Sequence, residues 1–457
     1  MTITLNHRKN LMNNSDPKIL LISDQVMLKA ANQVLFHTVR GLLEDGYCVC
    51  LILYGTTGHE LENIASLDEL FPEYLHKVEV HYFETFGSWG FELLRKLRST
   101  FTERKKDISE ISLESFPPSN AVTGFDKTRT GLTFLSDFKY ELKWLAAYAT
   151  AKKASRSFKP DLICGFEIGG AVPAEKLSKH LSIPFYTKYM GTIVHPYIIE
   201  NRLQQVKPYL KGLKVKASLH FMSNDGTRGD IVQKYLGVDP DTIRFRIDGV
   251  KKYMSNGLPD RDQCASQLGL PIEKEDFLCL CLSNHNAGYK RLDRAIRAIG
   301  ALSKKHQNIK LILVGDGSNT NALKALAYRV GPKNIIFLPK LKYQDIPFIL
   351  KVADVYLNTN DVSNLSNTVL EAMACGSAVV SMDDGSLDGI VKHGETGLLV
   401  KSSGCETLLP EAIESLYYDY DLLKSLGNNA QIWAEKYFYT WDEKNRIELD
   451  EVRKLLY

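Results

Sequence analysis

The segment KILLISDQVMLKAANQVLFHTVRGLLEDGYCVCLILY, residues 18–54, contains two apolar runs separated by a helical pattern. Lys18–Ser23 and Tyr47–Tyr54 have the length and composition of buried strands, and the stretch around Ala30–Leu43 has the apolar spacing of a helix. Asp45-Gly46 is a helix stop between the helix and the second strand. The order strand, helix, strand predicts a βαβ unit with parallel strands.

The same alternation continues along the chain in two separate series. The first series adds strands that we predict at Lys77–Tyr82, Asp161–Gly165, Pro184–Lys188 and Ala217–Met222. The second series has predicted strands at Phe277–Leu282, Ile309–Val314, Ile335–Leu338, Asp354–Leu357, Ala378–Ser381 and Gly397–Val400. We therefore expect an α/β protein with two doubly wound domains.

The two series set the predicted domain boundaries. Residues 1–252 form the N-terminal domain and residues 253–441 the C-terminal domain, with a polar, Gly- and Pro-containing hinge at Tyr253–Asp262. Residues 442–457 have no strand to return to, so we expect a helix that crosses back onto the first domain. Parallel sheets bind ligands beyond the carboxyl ends of their strands, which predicts a site in the cleft between the domains.

Composition excludes several classes of protein. The 457 residues carry a net charge of only +3, which gives no global field for binding nucleic acid. No apolar run approaches the roughly 18 residues that a membrane-spanning helix needs, and the first residues lack the apolar stretch of a signal peptide. The eight cysteines form no C-x-x-C pairs, and Cys48, Cys50, Cys279 and Cys281 lie in apolar strands. We expect a cytoplasmic protein without a metal site.

The sequence NTNDVSNLSNTVLEAMACGSAVVSMDDGSLDGIVKHGETGLLV, residues 358–400, contains the predicted binding site. A strand ends at Leu357–Asn358, a polar loop follows, and a helix begins near Asn367 or Thr368. The first backbone N–H groups of such a helix favour an anion. Glu371 lies one turn into the helix. The alternative is a capping box, Thr368-x-x-Glu371, that serves only the helix.

Val369–Gly376 (VLEAMACG), followed by Ala378–Ser381 and Gly394–Val400 (GETGLLV), resembles the donor-site motif of glycosyltransferase family 4. Other segments extend the resemblance: Leu311–Gly317 (LILVGDG), Ala353–Leu357 (ADVYL), Tyr289–Asp293 (YKRLD), and Phe438–Trp441 with Arg446. It covers about residues 277–446 well and the N-terminal half only in outline. The resemblance implies a GT-B fold, in which two Rossmann-like domains face a cleft. It also implies transfer of a hexosyl unit from a nucleoside diphosphate sugar to a hydroxyl of a glycan or lipid-linked acceptor, with retention and without a metal or other cofactor.

The resemblance assigns catalytic roles to Glu371 and Lys290. Glu371 matches the glutamate that accepts hydrogen bonds from the donor ribose, and a carboxylate can accept from two vicinal hydroxyls. Lys290 matches the lysine that neutralises the leaving diphosphate; the alternative is a solvated loop lysine. Gly315 and Gly317 would let a turn approach the nucleotide closely, unless Gly-Asp-Gly is only a β-turn. The backbone N–H groups expected at the diphosphate and sugar belong to Asn364, Leu365, Ser366, Asn367 and Thr368.

The sequence departs from the family pattern at two donor positions. Ser363 stands where the family has a glutamate that contacts the transferred sugar, so the sugar is not fixed by the resemblance. His285 stands at the place of the family's arginine, or Asn284 does if the loop holds one extra residue. His285 would be either a switchable cation or a neutral loop histidine.

Four residues of the N-terminal half are candidates for the acceptor side of the cleft. Glu167, in Gly165–Gly170, follows a strand end, and Gly191 fits the family pattern after the next strand, where Met190 replaces a histidine. Lys188 and His195 are candidates for phosphate or acceptor contacts, with surface or structural roles as the alternative.

The segment of residues 89–106 places Trp89, Leu93, Leu97 and Phe101 on one helical face with basic residues around it. Such a helix can lie on an anionic membrane surface, or it can pack on the core with a solvated basic face.

Two other functions stay open for the whole chain. One is a non-catalytic GT-B binding or scaffold protein, and the other is a nucleotide-sugar epimerase of the same architecture.

Overall fold

The computed structural model describes residues 16–25, 33–55, 70–84, 133–252, 257–286, 288–331, 333–387 and 389–457. Within these residues the chain forms two parallel β-sheets, each from one half of the sequence. The first sheet ends at Arg246, and the second begins at Phe277.

Seven strands form the N-terminal sheet in the described part of the chain. They are β1 (Lys18–Ser23), β2 (Cys48–Tyr54), β3 (Val78–Phe83), β4 (Leu162–Phe166), β5 (Phe185–Tyr189), β6 (Leu219–Ser223) and β7 (Ile243–Arg246). Their order is β3-β2-β1-β4-β5-β6-β7, with parallel pairing throughout. The accompanying helices are α1 (Gln33–Glu44), α2 (Thr133–Phe158), α3 (Glu167–Leu181), α4 (His195–Ile199), α5 (Lys207–Leu213) and α6 (Gly229–Tyr235).

The C-terminal sheet has six strands in the described residues. They are β8 (Phe277–Leu282), β9 (Ile309–Val314), β10 (Ile335–Leu338), β11 (Val355–Asn358), β12 (Ala378–Asp383) and β13 (Leu398–Lys401). Their order is β10-β9-β8-β11-β12-β13, again all parallel. The helices of this half are α7 (Arg261–Gln267), α8 (Leu292–Leu302), α9 (Thr320–Val330), α10 (Ile346–Val352), α11 (Asn367–Ala374), α12 (Cys405–Tyr418) and α13 (Tyr420–Tyr437), and α14 (Trp441–Arg453) ends the chain.

The central strands of both sheets are buried on both faces. In β8, Cys279 and Cys281 belong to one apolar cluster, whereas Leu278 and Leu280 belong to another on the opposite face. Strands buried on two faces are continuous apolar runs rather than alternating ones, as is usual for parallel sheets. The cysteines of β2 and β8 are free thiols in this core, as their apolar setting predicts.

The C-terminal helix α14 packs on the N-terminal domain, which confirms the expected return of the chain. Thr440 and Glu443 form a capping box at its start, and the Trp441 ring stacks on His37 with 4.3 Å between centroids. The Asn445 amide donates to the His37 carbonyl oxygen (2.8 Å). A Cβ at Gly41 of α1 would lie 2.7 Å from the Asn445 amide nitrogen, so the two helices pack at a glycine.

A buried ionic cluster joins α14 to the carboxyl ends of the N-terminal strands. Lys188 pairs with Glu448 at 2.5 Å, and Lys444 pairs with Asp248 at 2.7 Å and with Glu448 at 3.5 Å. All four side chains are less than a tenth exposed. Of the two roles predicted for Lys188, the structure favours the structural one, because the ammonium group is engaged by α14.

Candidate active site

The loop that follows β11 leads directly into α11, which begins at Asn367 as predicted. The cap residue is Ser366, which is extended and makes no side-chain capping hydrogen bond. Thr368 lies inside the helix, where its hydroxyl accepts a hydrogen bond from Tyr356 (2.7 Å). The capping-box alternative for Thr368 and Glu371 is therefore wrong, and the carboxylate of Glu371 is available for another role.

Glu371 is a buried carboxyl group, with 8% of its surface exposed. Burial raises the pKa of Glu371 to about 7, and a hydrogen bond from the Tyr343 hydroxyl opposes that rise. Additional hydrogen-bond donors would stabilise the ionised form of a buried carboxylate such as this one. The sequence analysis missed Tyr343, which lies in a short 3-10 turn after β10.

Lys290 ends a 3-10 turn, Gly288–Lys290, that follows β8. Its carbonyl oxygen accepts a hydrogen bond from the Thr359 hydroxyl (3.0 Å), and it lines a small cavity together with Ser366 and Thr368. Burial lowers the pKa of the Lys290 ammonium, whereas the negative charge of Asp225 raises it. The structure thus brings Lys290 to the start of α11, and its ammonium would be stabilised by an anion bound there.

Buried ion pairs fix the position of the Lys290 turn. The Arg291 guanidinium pairs with Asp293 (3.0 Å), and that of Arg294 with Asp361 (2.7 Å). The Asp361 N–H donates to the Tyr289 carbonyl oxygen (2.8 Å), which joins the turn to the loop after β11. The sequence analysis did not identify these positioning residues, although Tyr289, Arg291 and Asp293 lie in the segment YKRLD.

The loop of residues 363–366, predicted to bind the donor and called the donor loop below, contacts the N-terminal domain. Ser363 has the left-handed backbone conformation (φ 59°), and its hydroxyl donates to Asp225 Oδ2 at 3.1 Å. The Leu365 N–H donates to the Asp225 carbonyl oxygen (3.2 Å), so this group has a protein partner in the ligand-free structure. The Asn364 side chain is fully buried, and its Oδ1 accepts from Asn358 (3.1 Å). Ser366 and Thr368 line the small cavity, and both are half-buried, as is Asn367.

Gly315 and Gly317 lie close to neighbouring backbone. A Cβ at Gly315 (φ 143°) would lie 1.8 Å from the Ser283 carbonyl oxygen, and one at Gly317 would lie 2.7 Å from the Asn286 nitrogen. The loops after β8 and β9 therefore pack backbone to backbone. The close approach of these two glycines to a nucleotide stays a prediction.

His285 lies between these two loops and is 2% exposed. Its Nδ1 hydrogen-bonds the Thr320 hydroxyl (2.9 Å), and its Nε2 has no partner among the described residues. Burial lowers the pKa of His285, and nearby Asp316 only partly offsets this. Of the two predicted roles the structure favours the neutral loop histidine, because a buried imidazole resists protonation. Asn284 is exposed at the same loop.

On the opposite side of the cleft, Glu167 follows β4 with a left-handed backbone (φ 57°). One carboxylate oxygen accepts a hydrogen bond from the Met190 N–H. Burial raises the pKa of Glu167 to about 8, against the effect of that hydrogen bond. Gly191 faces Asp225, and His195 begins α4, where burial and then Arg228 lower its pKa. The acceptor contacts of Glu167, Gly191 and His195 stay predictions.

Two other predictions lie away from this site. Residues 89–106 fall outside the described residues, so their contact with a membrane surface stays a prediction. In the part of the chain that the structure describes, no helix combines the length and apolar character needed to cross a membrane. One group of potential metal ligands is present there, Cys50 with Glu79 and His81, in the middle of β2 and β3 rather than at their carboxyl ends.

Several known glycosyltransferases are similar in sequence to this chain. Residues 270–433 match the family model of the group 1 glycosyl transferases. An uncharacterized glycosyltransferase of Methanocaldococcus jannaschii is 29% identical over 201 residues, which are 40% of this chain and 51% of that protein. A D-inositol 3-phosphate glycosyltransferase of Streptomyces bingchenggensis is 25% identical over 239 residues, 50% of this chain and 51% of that protein. The matched region thus spans about half the length of these two relatives.

Solved structures match nearly the whole chain. Anabaena HepE in complex with UDP and glucose has a TM-score of 0.66 and 18% identity, with 95% of this chain and 99% of HepE covered. Sucrose-phosphate synthase from Thermosynechococcus elongatus has a TM-score of 0.65 and 16% identity, with 96% and 99% covered. Together with the two parallel sheets, this likeness confirms the expected GT-B fold. Membership of family 4 in particular stays a prediction.

Proposed function

We propose that this protein is a glycosyltransferase that moves a hexosyl unit from a nucleoside diphosphate sugar to a hydroxyl of a glycan or lipid-linked acceptor. The observation that carries the proposal is the small cavity at the start of α11, which Lys290 lines together with Ser366 and Thr368. Glu371 lies one turn further along the same helix. The group 1 match of residues 270–433 supports it independently. A solved GT-B neighbour, HepE, was crystallised with UDP-glucose, which supports a nucleotide sugar as the donor class.

The proposed chemistry follows from the two charged groups Glu371 and Lys290. The Glu371 carboxylate would accept hydrogen bonds from two ribose hydroxyls and so hold the nucleotide. As the glycosidic bond breaks, negative charge grows on the departing diphosphate. Lys290, together with the first N–H groups of α11, would stabilise that charge, and such stabilisation is strong in a cleft from which water is largely excluded.

Retention at the anomeric carbon and independence of a divalent metal are further parts of the proposal, supported by the family resemblance. The anomeric configuration of the product by NMR tests the first. Activity after treatment with a chelator tests the second, since a metal-dependent enzyme would lose turnover and regain it on metal addition.

The two alternatives predict different products. A non-catalytic GT-B protein would bind a nucleotide sugar and release it unchanged, and an epimerase would convert it to the isomeric nucleotide sugar. We expect instead that a panel of nucleoside diphosphates and their hexoses contains a ligand that raises the melting temperature. We also expect the corresponding nucleotide sugar to be cleaved. A panel without any ligand would contradict the proposal.

A further inference from the structure

One acidic residue of the N-terminal domain reaches into the donor loop. Asp225 follows β6, and both its backbone and its side chain contact the C-terminal domain. Its carbonyl oxygen accepts from the Leu365 N–H (3.2 Å), and its Oδ2 accepts from the Ser363 hydroxyl (3.1 Å). Next to it, a Cβ at Gly226 would lie 3.0 Å from the Leu365 nitrogen, so the two loops touch too closely for a side chain there.

Further contacts fix the orientation of the Asp225 carboxylate. Its Oδ1 accepts from the Thr227 N–H (3.0 Å) and from the Thr227 hydroxyl (2.5 Å). The same hydroxyl accepts from the Thr192 N–H (2.9 Å), so the loop after β5 is joined to this arrangement. A carboxylate has about four lone-pair positions, and these contacts use two on Oδ1 and one on Oδ2. The described residues leave one position on Oδ2 for another donor.

The surroundings of Oδ2 belong to both sides of the cleft. Ser363 lies on the donor side, and Gly191 lies on the acceptor side, where a Cβ would be only 2.4 Å from Oδ2. Asp225 is also the charged group whose attraction raises the pKa of Lys290. A carboxylate at this place is unfavourable for a diphosphate, because like charges repel. The Asp225 carboxylate is well suited to a hydroxyl, because a hydroxyl can donate a hydrogen bond to a carboxylate oxygen.

We infer that Asp225 is a specificity-determining residue whose Oδ2 accepts a hydrogen bond from a hydroxyl of the transferred sugar, between Ser363 and Gly191. This inference rests on the proposed function and names the group that recognises the sugar. Ser363 acts as a positioning residue, because its hydroxyl holds the carboxylate towards the donor loop.

Binding measurements on Asp225→Asn test this assignment. The variant keeps the size of the side chain and removes its charge. The probes are UDP and UDP-glucose, extended to GDP, ADP and other nucleotide hexoses. We expect the Kd of the nucleotide sugar to rise about tenfold or more, the effect of losing a hydrogen bond to a charged group. The Kd of the free nucleoside diphosphate should stay the same or fall, because a repelling charge has been removed.

Two further variants separate sugar recognition from a simple contact between domains. Asp230→Asn is the matched control, because the Asp230 carboxylate is bonded to Lys234 (3.1 Å) on α6, and it should leave both constants unchanged. Ser363→Ala keeps the Asp225 charge and should weaken nucleotide-sugar binding less than Asp225→Asn does.

Three outcomes are decisive. Equal weakening of the free nucleotide and the nucleotide sugar in Asp225→Asn would mean that Asp225 only joins the domains, which overturns the inference. Unchanged binding of both ligands would overturn it as well. A wild-type protein that binds no nucleoside diphosphate would contradict the proposed function itself, which is a separate failure.

Discussion

Glu371 is buried and Lys290 is half-buried, and the charged form of each is disfavoured. Burial raises the pKa of the carboxyl group and lowers that of the ammonium group. Ribose hydroxyls would stabilise the charged carboxylate, and a diphosphate would stabilise the charged lysine. Burial disfavours both charges in the ligand-free protein. We therefore expect a ligand that offers hydroxyls to Glu371 and a diphosphate to Lys290 to stabilise both charged forms strongly.

The first prediction concerns the pH dependence of Glu371. We expect nucleoside diphosphate affinity to rise as the pH increases through about 7, because only the ionised carboxylate accepts from both ribose hydroxyls. Glu371→Ala should weaken binding by about 2–3 kcal/mol without unfolding the protein, and Glu371→Gln should remove the rise with pH. Calorimetry between pH 5.5 and 8.5 measures both effects, and equal affinity of wild type and Glu371→Ala would exclude the ribose contact.

The same pKa has a consequence for stability. A folded-state pKa above that of an unfolded glutamate means that the folded protein holds the proton more tightly. The contribution of Glu371 to the free energy of unfolding is therefore full at low pH and is lost as the pH rises from about 4.5 towards 7. Glu371→Gln should lose less stability than wild type over this interval, as measured by urea unfolding of the ligand-free proteins. Parallel curves for the two proteins would argue against a raised pKa.

For Lys290 we expect an effect on turnover rather than on binding. Charge develops on the diphosphate in the transition state, so Lys290→Ala should lower kcat more than it raises the donor KM. Steady-state kinetics with the best donor of the panel measure both constants. Lys324→Ala is a suitable control, because Lys324 lies on α9 with its ammonium over Phe337. Normal turnover in Lys290→Ala would remove this residue from the mechanism.

Ser363→Glu should lower activity. Position 363 faces the Asp225 carboxylate at 3.1 Å, so a second carboxylate there would meet a like charge at short range. Kinetics over the donor panel measure the change, with Ser363→Gln as a control of similar size and no charge. A higher turnover with a neutral hexose donor would show that the loop accepts the additional carboxylate.

At the scale of secondary structure, α14 joins the last residues of the chain to the first domain. Burial alone would raise the pKa of Glu448, but Lys188 and Lys444 lower it below its ordinary value. Glu448→Gln would leave Lys188 buried without its carboxylate partner, so we expect a loss of about 3 kcal/mol in the free energy of unfolding. Asp450→Asn on the exposed face of the same helix should change little, because exposed ion pairs contribute little. Equal urea midpoints for these two variants would contradict a stabilising role of the cluster.

The elements could be predicted well because parallel strands buried on both faces are visible as continuous apolar runs. Every predicted strand is present, with its ends within two residues of the prediction. Strand β7 was missed because its sequence, IRFR, alternates polar and apolar residues at the edge of the sheet, where each residue is only partly buried. Both of its arginines pair with Glu451 of α14, a long-range contact that local pattern does not reveal.

At the scale of the whole molecule, the two-domain GT-B architecture could be predicted, but the contacts between the domains could not. Lys290 and Glu371 lie in motifs, and the carboxyl-end rule places both at one edge of the sheet. The bond between Asp225 and Ser363 joins residues 138 positions apart, and the pairing of Lys188 joins residues 260 apart. Such contacts depend on how the two domains and the last helix pack. For that reason local pattern does not decide between the acceptor contact and the structural role of Lys188, and it gives no indication of Asp225.

The central claim is that the chain cleaves nucleotide sugars in this cleft. The most direct measurement is the release of nucleoside diphosphate from a panel of nucleotide hexoses, by wild type and by Lys290→Ala at equal concentration. We predict release from at least one donor by wild type, and a rate at least about a hundredfold lower in Lys290→Ala, since removal of one group that stabilises developing charge costs on this order. Absence of release from every donor, or equal rates in the two proteins, would contradict the account.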